Sequence, residues 1–171
     1  MSKKVTHGHV DPWWNEEFKH LDYIYYPEKD HSVVQQNKDL YKLYAGVTAN
    51  GGLYQMRDNT PEWATNFLNL FDWQNQGISF YSMKTCDFLP VHKDPYLNYR
   101  KIFNIQDPNT IWRAIVFLED WKSGHYFEIN GVANTNWKAG DWVAWNFDMP
   151  HAAGNFGIEN RYTAQITGCT K

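Results

Sequence analysis

The stretch PVHKDPY, residues 90–96, sets an imidazole and a carboxylate two positions apart. Both groups bind divalent metals, and in an extended strand residues i and i+2 project to the same side. His92 and Asp94 could therefore offer two ligands to one point. Spacing alone does not single the pair out. With 7 His and 19 Asp plus Glu in 171 residues, about one such pair is expected by chance. His9-Val10-Asp11 and His20-Leu21-Asp22 share the spacing.

Residues further along the chain separate the three pairs. His151, within MPHAAGNFGIENRYT, lies 57 positions after Asp94, Arg161 comes ten positions later, and Thr163 two beyond that. No other histidine has an arginine nine to eleven positions ahead of it. Two imidazoles and one carboxylate on a face of an octahedron leave three positions open, the arrangement found in non-haem Fe(II) oxygenases, whereas structural zinc takes four closed ligands. A guanidinium is always charged, planar and matched to a carboxylate, so Arg161 fits the anchoring of an anionic ligand.

These residues need elements to carry them. From residue 77 onward the apolar period moves towards two, and ISFYSM, DFLPVH, IWRAIVFLE, HYFEI, DWVAWNF and RYTAQITG are each of strand length. Gly51-Gly52, Ser123-Gly124, Asn130-Gly131 and Ala139-Gly140 fall between apolar runs, and INGVA reads as a tight hairpin because Asn-Gly accepts positive φ at both central positions. TPEWATNFLNLFDW, residues 60–73, predicts one helix, with Thr60 as N-cap, Pro61 at its first position and Trp63, Phe67, Leu70 and Phe71 on one face. Residues 1–45 read as a strand or two and loops laid over a core. The fold expected is mainly β with a few helices, an antiparallel double-sheet jelly roll. It forms a single domain over 1–171, with N-terminal strands, loops and the packing helix in 1–76 and the jelly-roll core in 77–168.

The segment from Ile78 to Gly168 resembles the catalytic core of the 2-oxoglutarate and Fe(II)-dependent dioxygenases, and among them the short prolyl-hydroxylase-like forms. The resemblance rests on His92-Lys93-Asp94, on Tyr81 upstream of it, on WRAIVFLEDWKSGHYFEI, on KAGDWVAWNF leading to His151, and on RYT, similar to the family's Arg-x-Ser/Thr. It implies a double-stranded β-helix of cupin-like shape. It also implies Fe(II) on His92, Asp94 and His151, with 2-oxoglutarate as cosubstrate held at its far carboxylate by Arg161 and Thr163. O2 then completes a hydroxylation of a peptidyl proline or small amino-acid-like molecule, releasing succinate and CO2. Phe117 stands where such members often carry a tyrosine, and Gly124-His125-Tyr126 where they carry Gly-Gly-Glu. Asp94 fills the position that halogenating relatives leave vacant, which favours hydroxylation. Two other readings remain beside this one: a cupin-like metalloenzyme without 2-oxoglutarate, in which Arg161 and Thr163 have no such role, and a non-catalytic jelly-roll binding module.

Other residues receive plainer assignments. Tyr81 is either core or a donor to the cosubstrate. His125 reads as a solvated turn residue, Asn155 as a turn residue with Gly154 and Gly157, and Arg100 and Lys101 as a solvated loop. His7, His9 and His20 beside Trp13 and Trp14 read as an unstructured N-terminus and not a second metal site. Trp112, Trp121, Trp137, Trp142 and Trp145 read as sheet packing first and substrate platforms second. A net charge of −3 without a basic stripe argues against nucleic acid. The longest apolar run, AIVFL, is too short for a membrane span. Cys86 and Cys169 are too few for a disulfide scaffold. A soluble cytoplasmic protein is the expectation, its partner a small molecule or peptide.

Overall fold

The computed structural model describes residues 4–25, 52–55 and 61–171. Two antiparallel sheets dominate it. The larger has the order β1 (Val5–His9), β9 (Asp141–Asn146), β6 (Ile111–Phe117), β11 (Arg161–Cys169), β4 (Gln74–Met83), β3 (Gly52–Gln55), β2 (Ile24–Tyr25). The smaller has the order β5 (Phe88–His92), β10 (His151–Asn155), β7 (His125–Ile129), β8 (Val132–Asn134).

The period-two pattern sorts side chains onto the two faces of the larger sheet. On β6, Ala114 and Val116 join Phe80, Ala164 and Ile166 in an outer cluster, while Ile115 and Phe117 join Phe127, Ile129, Trp137, Val143, Trp145 and Met149 between the sheets. The outer cluster is roofed by the N-terminal segment and by the segment after residue 60. Trp13 and Trp14 pack against Phe67 with ring centroids 4.7 and 5.1 Å away. The Trp14 indole N–H donates to the Leu118 carbonyl at 3.0 Å, locking the roof to the end of β6.

The helix expected over 60–73 is mostly absent. Only Glu62–Thr65 is α-helical (α1), and Asn66–Asn69 continues as a 3-10 turn. Thr60 lies outside the described residues, and Pro61 stands before the helix with ψ 142° and not within it. Asn66 and Asn69 are weak helix formers, and the Thr65 hydroxyl donates back to the Glu62 carbonyl at 2.7 Å, a local bond that competes with helix propagation. The apolar face survives the change. Phe67 is fully buried, and Trp63, Leu70 and Phe71 pack around the same cluster.

β1 and β2 supply the strand or two expected over residues 1–45, whereas β3, β8, β10 and α2 (Leu97–Ile102) go beyond the expected elements. β1 places His7 and His9 opposite Val143 and Asp141 of β9, so the N-terminal histidines are strand residues and not an unstructured tail. Gly8 permits the close approach there, since a Cβ at that position would sit 2.2 Å from the Trp142 ring. Arg100 and Lys101 form the last turn of α2 and not a loop. INGVA forms the expected hairpin, with Asn130 at φ 51° and Gly131 at φ 78° joining Ile129 to its partner Val132. Gly124 and Gly140, at φ 89° and 92°, mark two of the other expected turns; Gly52 of the remaining pair opens β3 and pairs with Tyr25 and Ser82, while Gly51 lies outside the described residues, as do residues 1–3 and 26–45 of the N-terminal segment. No helix among the described residues is long and apolar enough to cross a membrane.

Candidate metal centre

β5 and β10 are neighbours in the smaller sheet, and their register sets His92 directly opposite His151. Pro90 is tolerated within β5 because that strand is a sheet edge, where a missing N–H breaks no ladder. Asp94 is not on the strand, as the i, i+2 argument supposed. It lies two residues past the end of β5, where the chain has left the strand, yet its carboxylate stays close to both rings. Asp94 Oδ1 is 3.9 Å from His92 Nε2, and Oδ2 is 3.4 Å from His151 Nε2. One ligand atom from each residue lies within 4.8 Å of the others, the one such grouping found among the described residues. His7, His9 and His20 form no second one.

Both rings are oriented by the backbone. His92 Nδ1 is 2.7 Å from the Pro90 carbonyl and His151 Nδ1 is 3.0 Å from the Met149 carbonyl. A carbonyl only accepts, so each Nδ1 carries a proton and each ring turns its Nε2 towards Asp94. Burial pushes the His92 pKa down to about 4, with His151 adding to the effect. Burial would raise Asp94, but Arg113, His151 and His92 outweigh it and hold the carboxyl well below the usual carboxylate range. The result is a neutral nitrogen beside an ionised oxygen, the donor set a divalent metal requires. The residues fit such an ion.

The His92 shift also has a consequence for the metal-free fold. Between pH 6.5 and about 4 the unfolded chain binds a proton on this residue that the folded chain refuses. Stability should therefore fall on acidification through that window, by up to about 1.4 kcal/mol per pH unit from this group. Urea unfolding at stepped pH with a chelator present should show a flatter limb for His92→Gln. An unaltered slope would place the proton uptake elsewhere.

Arg161 opens β11 opposite Met83, and Thr163 faces Tyr81 on one side and Phe117 on the other. Arg161, Thr163, Tyr81 and Phe117 thus share the inward face. Arg161 is 3% exposed, yet it has no carboxylate partner among the described residues. Its Nη1 meets only Met83 Sδ at 3.4 Å, its Nε has no hydrogen bond, and the rings of Trp137, Phe117 and Phe127 surround it at 5.6–5.9 Å. Burial lowers its pKa to about 10, so it stays charged at neutral pH. A buried, unmatched guanidinium is costly unless an anion joins it.

No protein-family model and no curated protein matches the sequence. Solved structures do match, by shape. A prolyl-4-hydroxylase from Pseudomonas putida superposes with a TM-score of 0.55 at 12% identity, over 91% of this chain and 96% of the other. A predicted oxalate decarboxylase from Thermotoga maritima gives 0.46 at 12% identity, over 73% and 85%. KdgF from a Halomonas species gives 0.44 at 6%, over 71% and 80%. The fold is a double-stranded β-helix. At such identities the likeness is one of fold, and the chemistry must be read from the side chains.

Within this double-stranded β-helix several plainer assignments need revision. His125 is not a solvated turn residue: it opens β7, is 4% exposed, and donates from Nε2 to the Glu159 carbonyl at 3.0 Å. Asn155 keeps its turn role from a fully buried position. Its amide donates to the Met83 and Glu159 carbonyls and its oxygen accepts from Gly157, which fixes the loop leading to Arg161. Trp137 and Trp145 pack between the sheets, while Trp112 and Trp142 belong to the outer cluster. Arg113 is a further charged residue of the site, beyond those expected from the motifs. The signal was present in its parity: it alternates with Ala114 and Val116 and so falls on the face of Ile115 and Phe117, inside the barrel. There its Nη1 lies 2.5 Å from Asp94 Oδ2.

Proposed function

We propose that the protein is an Fe(II)- and 2-oxoglutarate-dependent oxygenase that hydroxylates a C–H bond of a peptidyl proline or a small amino-acid-like substrate. One observation carries the reading: the inside of one β-helix holds both an oriented His-Asp-His donor set and a buried guanidinium that has no anion among the described residues. A cupin-like metal site without 2-oxoglutarate accounts for the first feature and leaves the second unexplained.

In this reading His92, Asp94 and His151 hold the iron, and Arg161 with the Thr163 hydroxyl takes the distal carboxylate of the cosubstrate. Iron with 2-oxoglutarate and O2 supplies the oxidising power, inserting one oxygen atom into the substrate C–H bond and leaving the other in succinate as CO2 departs. The protein supplies placement and exclusion. The two Nδ1–H bonds to carbonyls keep both imidazoles aimed, and neutrality of His92 keeps it available as a donor well below neutral pH. The rings of Phe117, Phe127 and Trp137 exclude water from Arg161, which strengthens its attraction for a carboxylate. Tyr81, opposite Thr163 on the neighbouring strand, supports the reading as a further residue on the face of the proposed cosubstrate site.

Anaerobic titration tests this directly. Fe(II) followed by 2-oxoglutarate should raise a visible charge-transfer band saturating near one equivalent of each. A metal-bound protein that develops no band with 2-oxoglutarate would overturn the reading in favour of the cupin-like alternative.

A further inference from the structure

Arg113 is half used. Its Nη1 pairs with Asp94, its Nε donates to the Thr167 hydroxyl at 3.3 Å, and its guanidinium lies 4.9 Å from the centre of the buried Tyr96 ring. These contacts hold the fork on three sides. Nη2 has no hydrogen bond to any described residue, and the side chain is still 21% exposed. A guanidinium so fixed presents a preformed edge to whatever enters beside Asp94.

Charge points to what that is. Asp94 and Arg113 cancel, and an imidazole that ligates a metal through Nε2 is neutral, so on ligation these four side chains together carry no net charge. On the oxygenase reading, a divalent ion then brings two positive charges. The cosubstrate's metal-binding carboxylate cancels one, and its other carboxylate is matched by Arg161. One positive charge remains in a low-dielectric interior walled by Trp145, whose ring is 5.0 Å from His151, and by Tyr96. Such an excess is relieved by an anionic group on the substrate.

We propose that Arg113 selects substrates that carry a carboxylate close to the reacting C–H bond, so that a small free amino-acid-like molecule is taken in preference to an internal peptidyl proline. The proposal rests on the oxygenase reading, and the two can fail separately. Nearby cations do not supply the same function: Lys93 is paired with Asp148 at 2.9 Å, and Arg100 and Lys101 stand on α2, outside the contacts of Asp94.

The test uses the full chain with Fe(II) and 2-oxoglutarate under anaerobic conditions, with acetate and acetamide as matched probes differing in charge. Acetate should shift the charge-transfer band saturably without abolishing it, and acetamide should need about 10-fold or more higher concentration. Arg113→Gln should remove the difference, and Arg113→Lys, which keeps the charge and loses the fork, should keep part of it. Equal responses to the two probes, no response to either, or an acetate preference that survives in Arg113→Gln would each overturn the assignment. If Arg113→Gln does not fold, the wild-type comparison and Arg113→Lys still decide it. Absence of the band in the wild-type protein sinks the oxygenase reading; a band indifferent to acetate sinks only the role of Arg113.

Discussion

His151→Ala is expected to abolish Fe(II)-dependent conversion of 2-oxoglutarate to succinate while leaving the double-stranded β-helix folded. His151 is one of three donors, and its Nε2 faces Asp94 at 3.4 Å with Nδ1 already committed to the Met149 carbonyl. Nothing else among the described residues lies in position to replace it. Residues that merely support metal ligands are worth about 10–100-fold in affinity, so loss of a ligand should exceed the upper end of that range. The fold should survive because the ring lies at the start of β10, whose pairing with β5 and β7 is made by the backbone. The measurement is the rise in melting temperature on adding Fe(II) or Mn(II), followed beside succinate release. Binding to the native state alone gives about 2.7 kcal/mol at 100 times Kd, and the variant should show almost none of it. Succinate formation at the wild-type rate would remove His151 from the ligand set.

Arg161→Met should separate stability from function. In the absence of an anion the protein keeps a guanidinium buried with only a thioether for a hydrogen-bond partner among the described residues. Replacing a poorly compensated buried charge with an apolar side chain of similar length is often neutral or stabilising by about 1–4 kcal/mol. The variant should therefore unfold at equal or higher urea concentration than the wild type. Its requirement for 2-oxoglutarate should rise by roughly 30-fold or more, since losing one partner of a buried charge pair costs about 2 kcal/mol at the least. Its affinity for Fe(II) without cosubstrate should hardly change. A destabilised variant would mean that Arg161 is satisfied within the fold. An unchanged 2-oxoglutarate requirement would mean that another residue anchors the cosubstrate. The combination expected, better folding with poorer binding, is the mark of a residue retained for a ligand and not for the core.

Much of the candidate site could be read from residue order alone. His92, Asp94, His151, Arg161 and Thr163 stand in an order that chance seldom produces, and the period-two runs around them could only be strands. Parity along one strand is a local property, fixed by backbone geometry, so it could also have placed Arg113 inside the barrel with Ile115 and Phe117. What local rules do not reach is which strand lies beside which, and in what register. The opposition of His92 and His151 depends on β5 pairing with β10, and the docking of His7 and His9 depends on β1 pairing with β9. The burial of His125 and the return of Asp94 past the end of its strand depend equally on how the two sheets close. The helix over 60–73 shows the same limit from the other side: its apolar face was legible, but its length was set by asparagines and a threonine back-bond competing with the pull of Phe67 into the outer cluster. Sequence by itself determined which groups could do chemistry and which face of each strand they occupy. Only the tertiary structure decided that Asp94 shares its charge with Arg113 while Arg161 meets no anion among the described residues, because pairing of buried charges is settled by contacts between segments far apart in the chain.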